Sequence, residues 1–103
     1  MVQALNNSNL NTINNSDKLA VIDFSAMWCN PCKQLEPVYE ELSNEIEEAD
    51  FYKVDIDAEQ ELAGKFNIIS VPTIVLIKNG QELSRISGFQ GKEFLKGKLL
   101  SNI

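Results

Sequence analysis

The spacing of hydrophobic and polar residues predicts five strands along the chain. The predicted strands are residues 2–5, 19–24, 51–56, 73–78 and 82–87. The first is short enough for an edge strand, whereas the second and third are nearly continuous in apolar character, as is typical of strands covered on both faces. Asn79 and Gly80 separate the last two strands. This pair strongly favours a tight turn, so we expect an antiparallel hairpin there.

The longest predicted helix has apolar residues at helical spacing and mostly glutamates on the opposite face. Its apolar positions are Leu35, Val38, Leu42 and Ile46. Pro37 lies inside this helix, where it removes a backbone donor and should bend the axis. Shorter helices are predicted within residues 6–16, at 59–66 and at 92–101. The order is a βαβ unit followed by αββα, so we expect one α/β domain that spans residues 1–103.

Composition and charge narrow the possible partners. Of the 103 residues, 44% are hydrophobic and 23% are charged, which is enough to bury a core, and the net charge is −6. An acidic chain is a poor partner for nucleic acid or an anionic membrane, because both demand a basic surface. No apolar run approaches the ~20 residues that span a bilayer, and the N-terminal segment MVQALNNSNL does not resemble a signal peptide. We therefore expect a cytoplasmic protein. We also expect a monomer, which does not follow from composition or charge.

The strongest chemical signal is the segment WCNPCK, which holds the only two cysteines and the only tryptophan. A zinc site needs four ligands, whereas this chain supplies two thiols and no histidine, so we expect no metal. Covalent haem attachment needs histidine directly after the second cysteine, where this chain has Lys33. A purely structural disulfide stays open as an alternative, although closing so small a loop contributes only about 2 kcal/mol in the chain-entropy model.

A dithiol that cycles between reduced and oxidised forms fits the segment best. Cys29 and Cys32 share one face at the start of a helix, and the helix N-terminus stabilises a thiolate. Pro31 suits the first helical position, which makes Asn30 the N-cap. Cys29 is then the more exposed, attacking thiol, and Cys32 resolves the mixed disulfide. The Asn30 side chain would compete with the Cys29 thiolate for backbone donors, so Asn30 and Pro31 are predicted to tune the redox chemistry.

The chain resembles the thioredoxin family from end to end. The resemblance rests on KLAVIDFSAMWCNPCK, FYKVDID, SVPT, KNG and SGF, in the order and spacing of that family. One departure is Asn30, where the family usually has glycine. The resemblance implies a thioredoxin fold, which is a central mixed β-sheet flanked by helices on both faces. It also implies a protein disulfide reductase with no bound cofactor, in which a reversible Cys29–Cys32 disulfide reduces target proteins and an external thioredoxin reductase resets it.

Several site residues follow from this resemblance position by position. Asp23 matches the buried carboxylate that takes a proton from Cys32, and Lys53 matches a lysine near it. From the residues alone, Asp23 is equally well a structural acid and Lys53 an ordinary edge charge. Pro72 matches a cis-proline that faces the disulfide, and Val71 would offer backbone groups to an extended substrate strand. The implied substrate-binding surface consists of Trp28, Pro31, Val71, Pro72, Gly88 and Phe89.

Three other functions remain as alternatives. The first is a non-redox binding module; the intact Cys29, Cys32 and Asp23 count against this as the sole role. The second is a dedicated oxidant or isomerase, which would act in an oxidising compartment. The third is a glutathione-dependent glutaredoxin, which the acidic charge and the tryptophan before the first cysteine disfavour.

Overall fold

The structure is a computed structural model that describes residues 1–103. At its centre lies a five-stranded mixed sheet. Its strands are β1 (Val2–Ala4), β2 (Leu19–Ser25), β3 (Ala49–Asp55), β4 (Thr73–Lys78) and β5 (Gln81–Ser87). Their order across the sheet is β1-β3-β2-β4-β5. The first three strands are parallel to one another, whereas β4 is antiparallel to both of its neighbours, β2 and β5. Every predicted strand is therefore present. The third begins earlier than predicted because Ala49 and Asp50 pair with the start of β2.

Four helices cover the two faces of this sheet. They are α1 (Asn11–Asn14), α2 (Asn30–Glu45), α3 (Gln60–Lys65) and α4 (Lys92–Leu100). Side chains alternate between the faces along β2. Leu19 and Val21 pack with α2 and α4, whereas Ile22 and Phe24 pack with α1 and α3. The expected arrangement, a central mixed sheet with helices on both faces, is confirmed. None of the helices has both the length and the apolar character needed to span a bilayer.

A tight turn joins β4 to β5. Its two central residues, Asn79 and Gly80, have φ angles of 55° and 75°. Positive φ at both positions defines the type I′ turn, whose twist matches that of the flanking strands. The predicted hairpin is therefore confirmed, and it places β5 beside β4 at the edge of the sheet.

Tyr39 fixes the long helix α2 against the sheet. Its buried hydroxyl lies 3.0 Å from the carbonyl oxygen of Val21 on β2 and 2.7 Å from that of Tyr52 on β3. Its ring packs edge-on against Phe51, with the ring centroids 5.3 Å apart. This anchor lies between the apolar positions that the helical pattern identified. It holds the first turns of α2 over the carboxyl ends of β2 and β3, where the site described below is found.

Candidate active site

The two cysteines lie at the start of α2 and form a disulfide. Cys29 is the N-cap, with an extended backbone, and Cys32 lies in the first turn, with 5.3 Å between the two Cα atoms. The backbone N–H of Cys32 donates a hydrogen bond of 3.2 Å to Sγ of Cys29. The free donors of a helix N-terminus stabilise negative charge. A thiolate that forms on Cys29 is therefore positioned to accept a hydrogen bond from one of these donors, the N–H of Cys32.

The prediction that Asn30 caps this helix is wrong. Asn30 is the first helical residue and Pro31 the second, because Sγ of Cys29 takes the place of the usual capping oxygen. The Asn30 side chain is exposed and makes no hydrogen bond to the protein. By contrast, the side chains of Asn6, Asn9 and Ser16 each accept a hydrogen bond from a nearby backbone N–H. The proposed competition between Asn30 and the Cys29 sulfur for the Cys32 donor therefore has no basis in the geometry.

The expected difference in exposure between the thiols is nearly absent in the oxidised form. Cys29 is 5% exposed and Cys32 is 4% exposed. Ala26, Ile56 and Val71 pack against the pair and account for its burial. Any difference in role between the thiols must therefore come from their positions, with Cys29 at the helix end and Cys32 inside the first turn.

A loop that ends in a cis peptide bond lies against the disulfide. The Val71–Pro72 bond is cis, as the resemblance implied, and the carbonyl oxygen of Val71 is 3.7 Å from Sγ of Cys29. The N–H of Gly88, at a φ of 82°, donates a 2.8 Å hydrogen bond to the carbonyl oxygen of Pro72. Positive φ favours glycine at this position. The structure thus brings Val71, Pro72 and Gly88 together beside Cys29.

The aromatic and aliphatic side chains at this end of the molecule are strongly exposed. Trp28 is 67% exposed and Phe89 is 43% exposed. Sequence reasoning missed Met27, at 79%, which directly precedes Trp28, and Ile69, at 97%, which lies two residues before Val71 in the chain. It also missed Asp57, whose Oδ2 accepts a 2.8 Å hydrogen bond from Nε1 of Trp28. The only sequence signal for Asp57 is an acidic residue just beyond the end of a parallel strand that neighbours β2.

Asp23 is buried on β2, on the face that α2 covers, and is 2% exposed. Its Oδ1 has no hydrogen-bond partner. Burial raises the pKa of Asp23 from 3.8 to about 7, because the charged form loses its solvation, and the nearby Lys53 cation offsets only part of this effect. Lys53 lies directly opposite Asp23 in the register of β2 and β3. Its ammonium group, however, bonds to Oε2 of Glu36 at 3.1 Å.

Two cavities of about 380 Å³ each meet at this ion pair. Cys32 lines one of them and Asp23 lines the other. Glu36, Lys53 and Asp55 line both. Asp23 and Cys32 make no direct hydrogen bond in the oxidised form, and each of them lines a different one of the two cavities. The structure therefore places Asp23, Lys53 and Cys32 in one region and adds Glu36, which is one of the glutamates that the sequence pattern assigned to the polar face of α2.

The fold and the paired thiols at a helix N-terminus define a thioredoxin-fold dithiol protein. The thioredoxin family model matches residues 1–101. The chain is 42% identical to thioredoxin H2 of Arabidopsis thaliana over 84% of its length, and it spans 65% of that protein, slightly less than two thirds. It is 44% identical to thioredoxin-1 of Saccharomyces cerevisiae over 70% of each chain. The crystal structure of the Malassezia sympodialis thioredoxin covers 98% of this chain, and this chain covers 90% of it, at 34% identity and a TM-score of 0.91.

The chain belongs to the thioredoxin family. Members of this family use their own redox-active disulfide, which here is the Cys29–Cys32 pair.

Proposed function

We propose that this protein is a general protein disulfide reductase, which carries electrons from an external thioredoxin reductase to many disulfide-containing target proteins. The observation that carries the proposal is the Cys32 N–H bonded to Sγ of Cys29 at the start of α2. A donor in that position stabilises the thiolate form of Cys29, and the thiolate is the nucleophile in disulfide exchange. The proposal also takes residues 1–103 as one domain, since both apolar cores share one sheet.

The exchange would proceed in two displacements. The Cys29 thiolate attacks one sulfur of the target disulfide, and the other target sulfur leaves as a thiolate. Cys32 then loses its proton and attacks Sγ of Cys29, so that the internal disulfide forms and the second target sulfur leaves. The target gains two electrons and the Cys29–Cys32 pair loses two. The second step is intramolecular, and the effective molarity of such a neighbouring group is high.

Asp23 is the proposed acceptor for the proton of Cys32. With a pKa of about 7, the Asp23 carboxyl group is partly ionised near neutral pH, so it can both accept a proton and return it. Lys53 would act as the cation near that carboxylate. The proposal is supported by the two cavities, one lined by Cys32 and the other by Asp23, which share three lining residues.

Target proteins would dock on the exposed end of the molecule that surrounds the disulfide. The proposed surface consists of Trp28, Pro31, Val71, Pro72, Gly88 and Phe89. The backbone of Val71 would pair with an extended target segment, since strand addition uses such free backbone groups. Because the chain carries a net charge of −6, we propose no role for nucleic acid or an anionic membrane. We propose a monomer that acts in the cytoplasm.

Trapping the mixed disulfide tests this function. Cys29→Ser should abolish reduction of a target protein by dithiothreitol-supplied electrons. Cys32→Ser should still attack but stall as a stable mixed disulfide with the target, because the resolving thiol is missing. Mass spectrometry of each variant after mixing with an oxidised target would detect the adduct. A stable adduct with Cys29→Ser would reverse the assigned roles, and a wild-type protein without reductase activity would favour a non-redox binding role.

A further inference from the structure

We propose that Glu36 is a positioning residue for proton transfer at Asp23. It holds the Lys53 ammonium group on the solvent side of the site. Asp23 then remains a strong enough base to take the proton of Cys32. This inference rests on the reductase function proposed above. Glu36 belongs neither to the cysteine motif nor to β2, so neither pattern identified it.

The position of Glu36 is fixed by the packing of α2. Leu35, its neighbour, is fully buried, and Tyr39, one turn further along, is anchored by its hydroxyl to the carbonyl oxygens of β2 and β3. Residues three positions apart on a helix lie on the same side. Glu36 is therefore held at the edge of the helix, above β3, where it reaches Lys53.

Lys53 bonds to only one of the carboxylates that line its cavity. Its register places it opposite Asp23, yet its ammonium group lies 3.1 Å from Oε2 of Glu36. Both side chains of this pair are in contact with solvent, with 39% of Lys53 and 64% of Glu36 exposed. Asp23, in contrast, is left with an unpartnered Oδ1. The cation thus pairs with the solvated carboxylate, and the buried carboxyl group receives no hydrogen bond from it.

The other groups around Asp23 do not replace this pair. The cavity that Asp23 lines is also bordered by Asp55 from β3 and by Tyr39 and Glu40 from α2, and none of these carries a positive charge at neutral pH. The β1 residues that line it are uncharged, and the partner of Asp23 on β4 is Ile74. Lys53 is therefore the one cation that lines this cavity, and Glu36 controls how much of its charge Asp23 experiences.

Two electrostatic effects of Glu36 act in the same direction. A salt bridge to Glu36 neutralises part of the Lys53 field at Asp23, and the Glu36 charge itself disfavours a second carboxylate nearby. Both effects raise the pKa of Asp23, in addition to the larger effect of burial and against the lowering effect of Lys53. Without Glu36, Lys53 would be free to approach Asp23 and would keep it ionised. Asp23 would then be a weaker base for the Cys32 proton.

The step that this affects is the resolution of the mixed disulfide. The Asp23 carboxylate takes the proton of the Cys32 thiol, directly or along the cavities. The electron pair left on the Cys32 sulfur forms the bond to Sγ of Cys29, and the bond between Cys29 and the target breaks. The target leaves as a thiolate and takes a proton from solvent, while Asp23 later returns its proton to solvent.

The variant Glu36→Gln tests the proposal, with Glu40→Gln as the matched control. Glu40 lies on the same helix and lines the same cavity, but it forms no ion pair with Lys53. The titration of the Asp23 carboxyl carbon is followed by NMR in the oxidised protein. We expect Glu36→Gln to lower the pKa of Asp23 by about half a unit to one unit, and Glu40→Gln to lower it by less than half as much. Equal shifts in the two variants, or no downward shift in Glu36→Gln, would overturn the proposal.

A second background separates the two effects of Glu36. In Lys53→Met, Glu36→Gln should lower the pKa of Asp23 by clearly less than in the wild-type background, because only the direct charge is then removed. A shift of equal or greater size would show that Glu36 does not act through Lys53. Glu36→Asp, which keeps the charge, should restore part of the wild-type titration.

Turnover gives the functional readout. The acid limb of the pH profile for resolving the mixed disulfide should move to lower pH by the same amount as the Asp23 titration. A purely structural role would instead reduce the rate equally at all pH values, and this result would contradict the proposal. The NMR titration needs no turnover, so a shifted Asp23 in a protein that reduces no disulfide would refute the proposed function while leaving the coupling of Glu36 to Asp23 intact.

Discussion

Replacing Asp23 with asparagine tests the central electrostatic feature of this site. The substitution preserves the shape of the side chain and removes its ability to ionise. Asp23 lies 2% exposed on the central strand β2, and its Oδ1 has no hydrogen-bond partner that the amide would lose. If burial raises its pKa as far as the structure indicates, the folded protein is less stable with Asp23 than with asparagine, and the difference depends on pH.

The sign follows from the protons bound in each state. Well below pH 3.8 the carboxyl group is protonated in both the folded and the unfolded chain, so it does not change the free energy of unfolding. As the pH rises past 3.8 the unfolded chain releases this proton, whereas the folded chain retains it until about pH 7. The unfolded chain is therefore favoured progressively across this window, and the penalty is complete above it.

The size of the penalty follows from the same two values. A rise from 3.8 to about 7 is roughly three pKa units, and at ~1.4 kcal/mol per unit this corresponds to about 4 kcal/mol of stability. Asparagine does not recover all of it, because its buried amide also loses hydration and brings donors of its own. We therefore expect Asp23→Asn to stabilise the oxidised protein by about 2–4 kcal/mol above pH 8 and by less than about 1 kcal/mol near pH 4.

Denaturant unfolding of both oxidised proteins at a series of pH values from 4 to 9 measures this difference. The comparison cancels the contributions of the exposed carboxylates, which both proteins share. A stabilisation of the same size at every pH would refute the reasoning, since it would show that the substitution acts through packing and not through ionisation. A less stable variant at pH 8 would do so as well. In the second case, Asp23 would be a structural acid.

Two further substitutions test the residues that surround the disulfide. Asp57→Ala removes the acceptor for the Trp28 indole. The loss of one exposed hydrogen bond of about 0.5–1.5 kcal/mol should lower kcat/KM for target reduction by roughly 2- to 10-fold. Asp57→Asn keeps an acceptor oxygen and should lower kcat/KM by less, so equal losses of kcat/KM in the two variants would contradict a role for the hydrogen bond. Asn30→Gly should change the acidity of the Cys29 thiol by less than about 3-fold, because Asn30 is not the cap and bonds to no shared donor. Ultraviolet titration of the thiolate measures this, and a larger change would restore a tuning role for Asn30.

The elements of the fold were predictable because their signals are local. The residue pair Asn79-Gly80 specifies its own turn, and the apolar run of β2 indicates a strand buried on both faces without reference to the rest of the chain. The boundaries were less predictable where pairing decides them. Ala49 and Asp50 have little strand character of their own, and they join β3 because Leu19 and Ala20 offer a parallel partner. The position of α2 likewise depends on the Tyr39 hydroxyl, whose two acceptors lie on different strands.

The chemistry of the site was less predictable, because its decisive contacts join residues that lie far apart in the sequence. The partner of Trp28 is Asp57, and the partner of Lys53 is Glu36 on another element. A resemblance to a family transfers only those positions that the family motif names, so Glu36 and Asp57 remained outside it.

The error in the predicted cap of α2 has a chemical origin. Asparagine before proline is a favourable cap by its oxygen chemistry, but the preceding residue is Cys29, whose sulfur accepts the bond instead. The atom that caps the helix is therefore also one of the two sulfurs of the disulfide. A disulfide sulfur is a weak acceptor, whereas a thiolate is charged and bonds more strongly to an N–H donor. Formation of a thiolate on the reduced Cys29 should therefore strengthen the cap of α2, and the hydrogen bond that begins the helix would stabilise this thiolate.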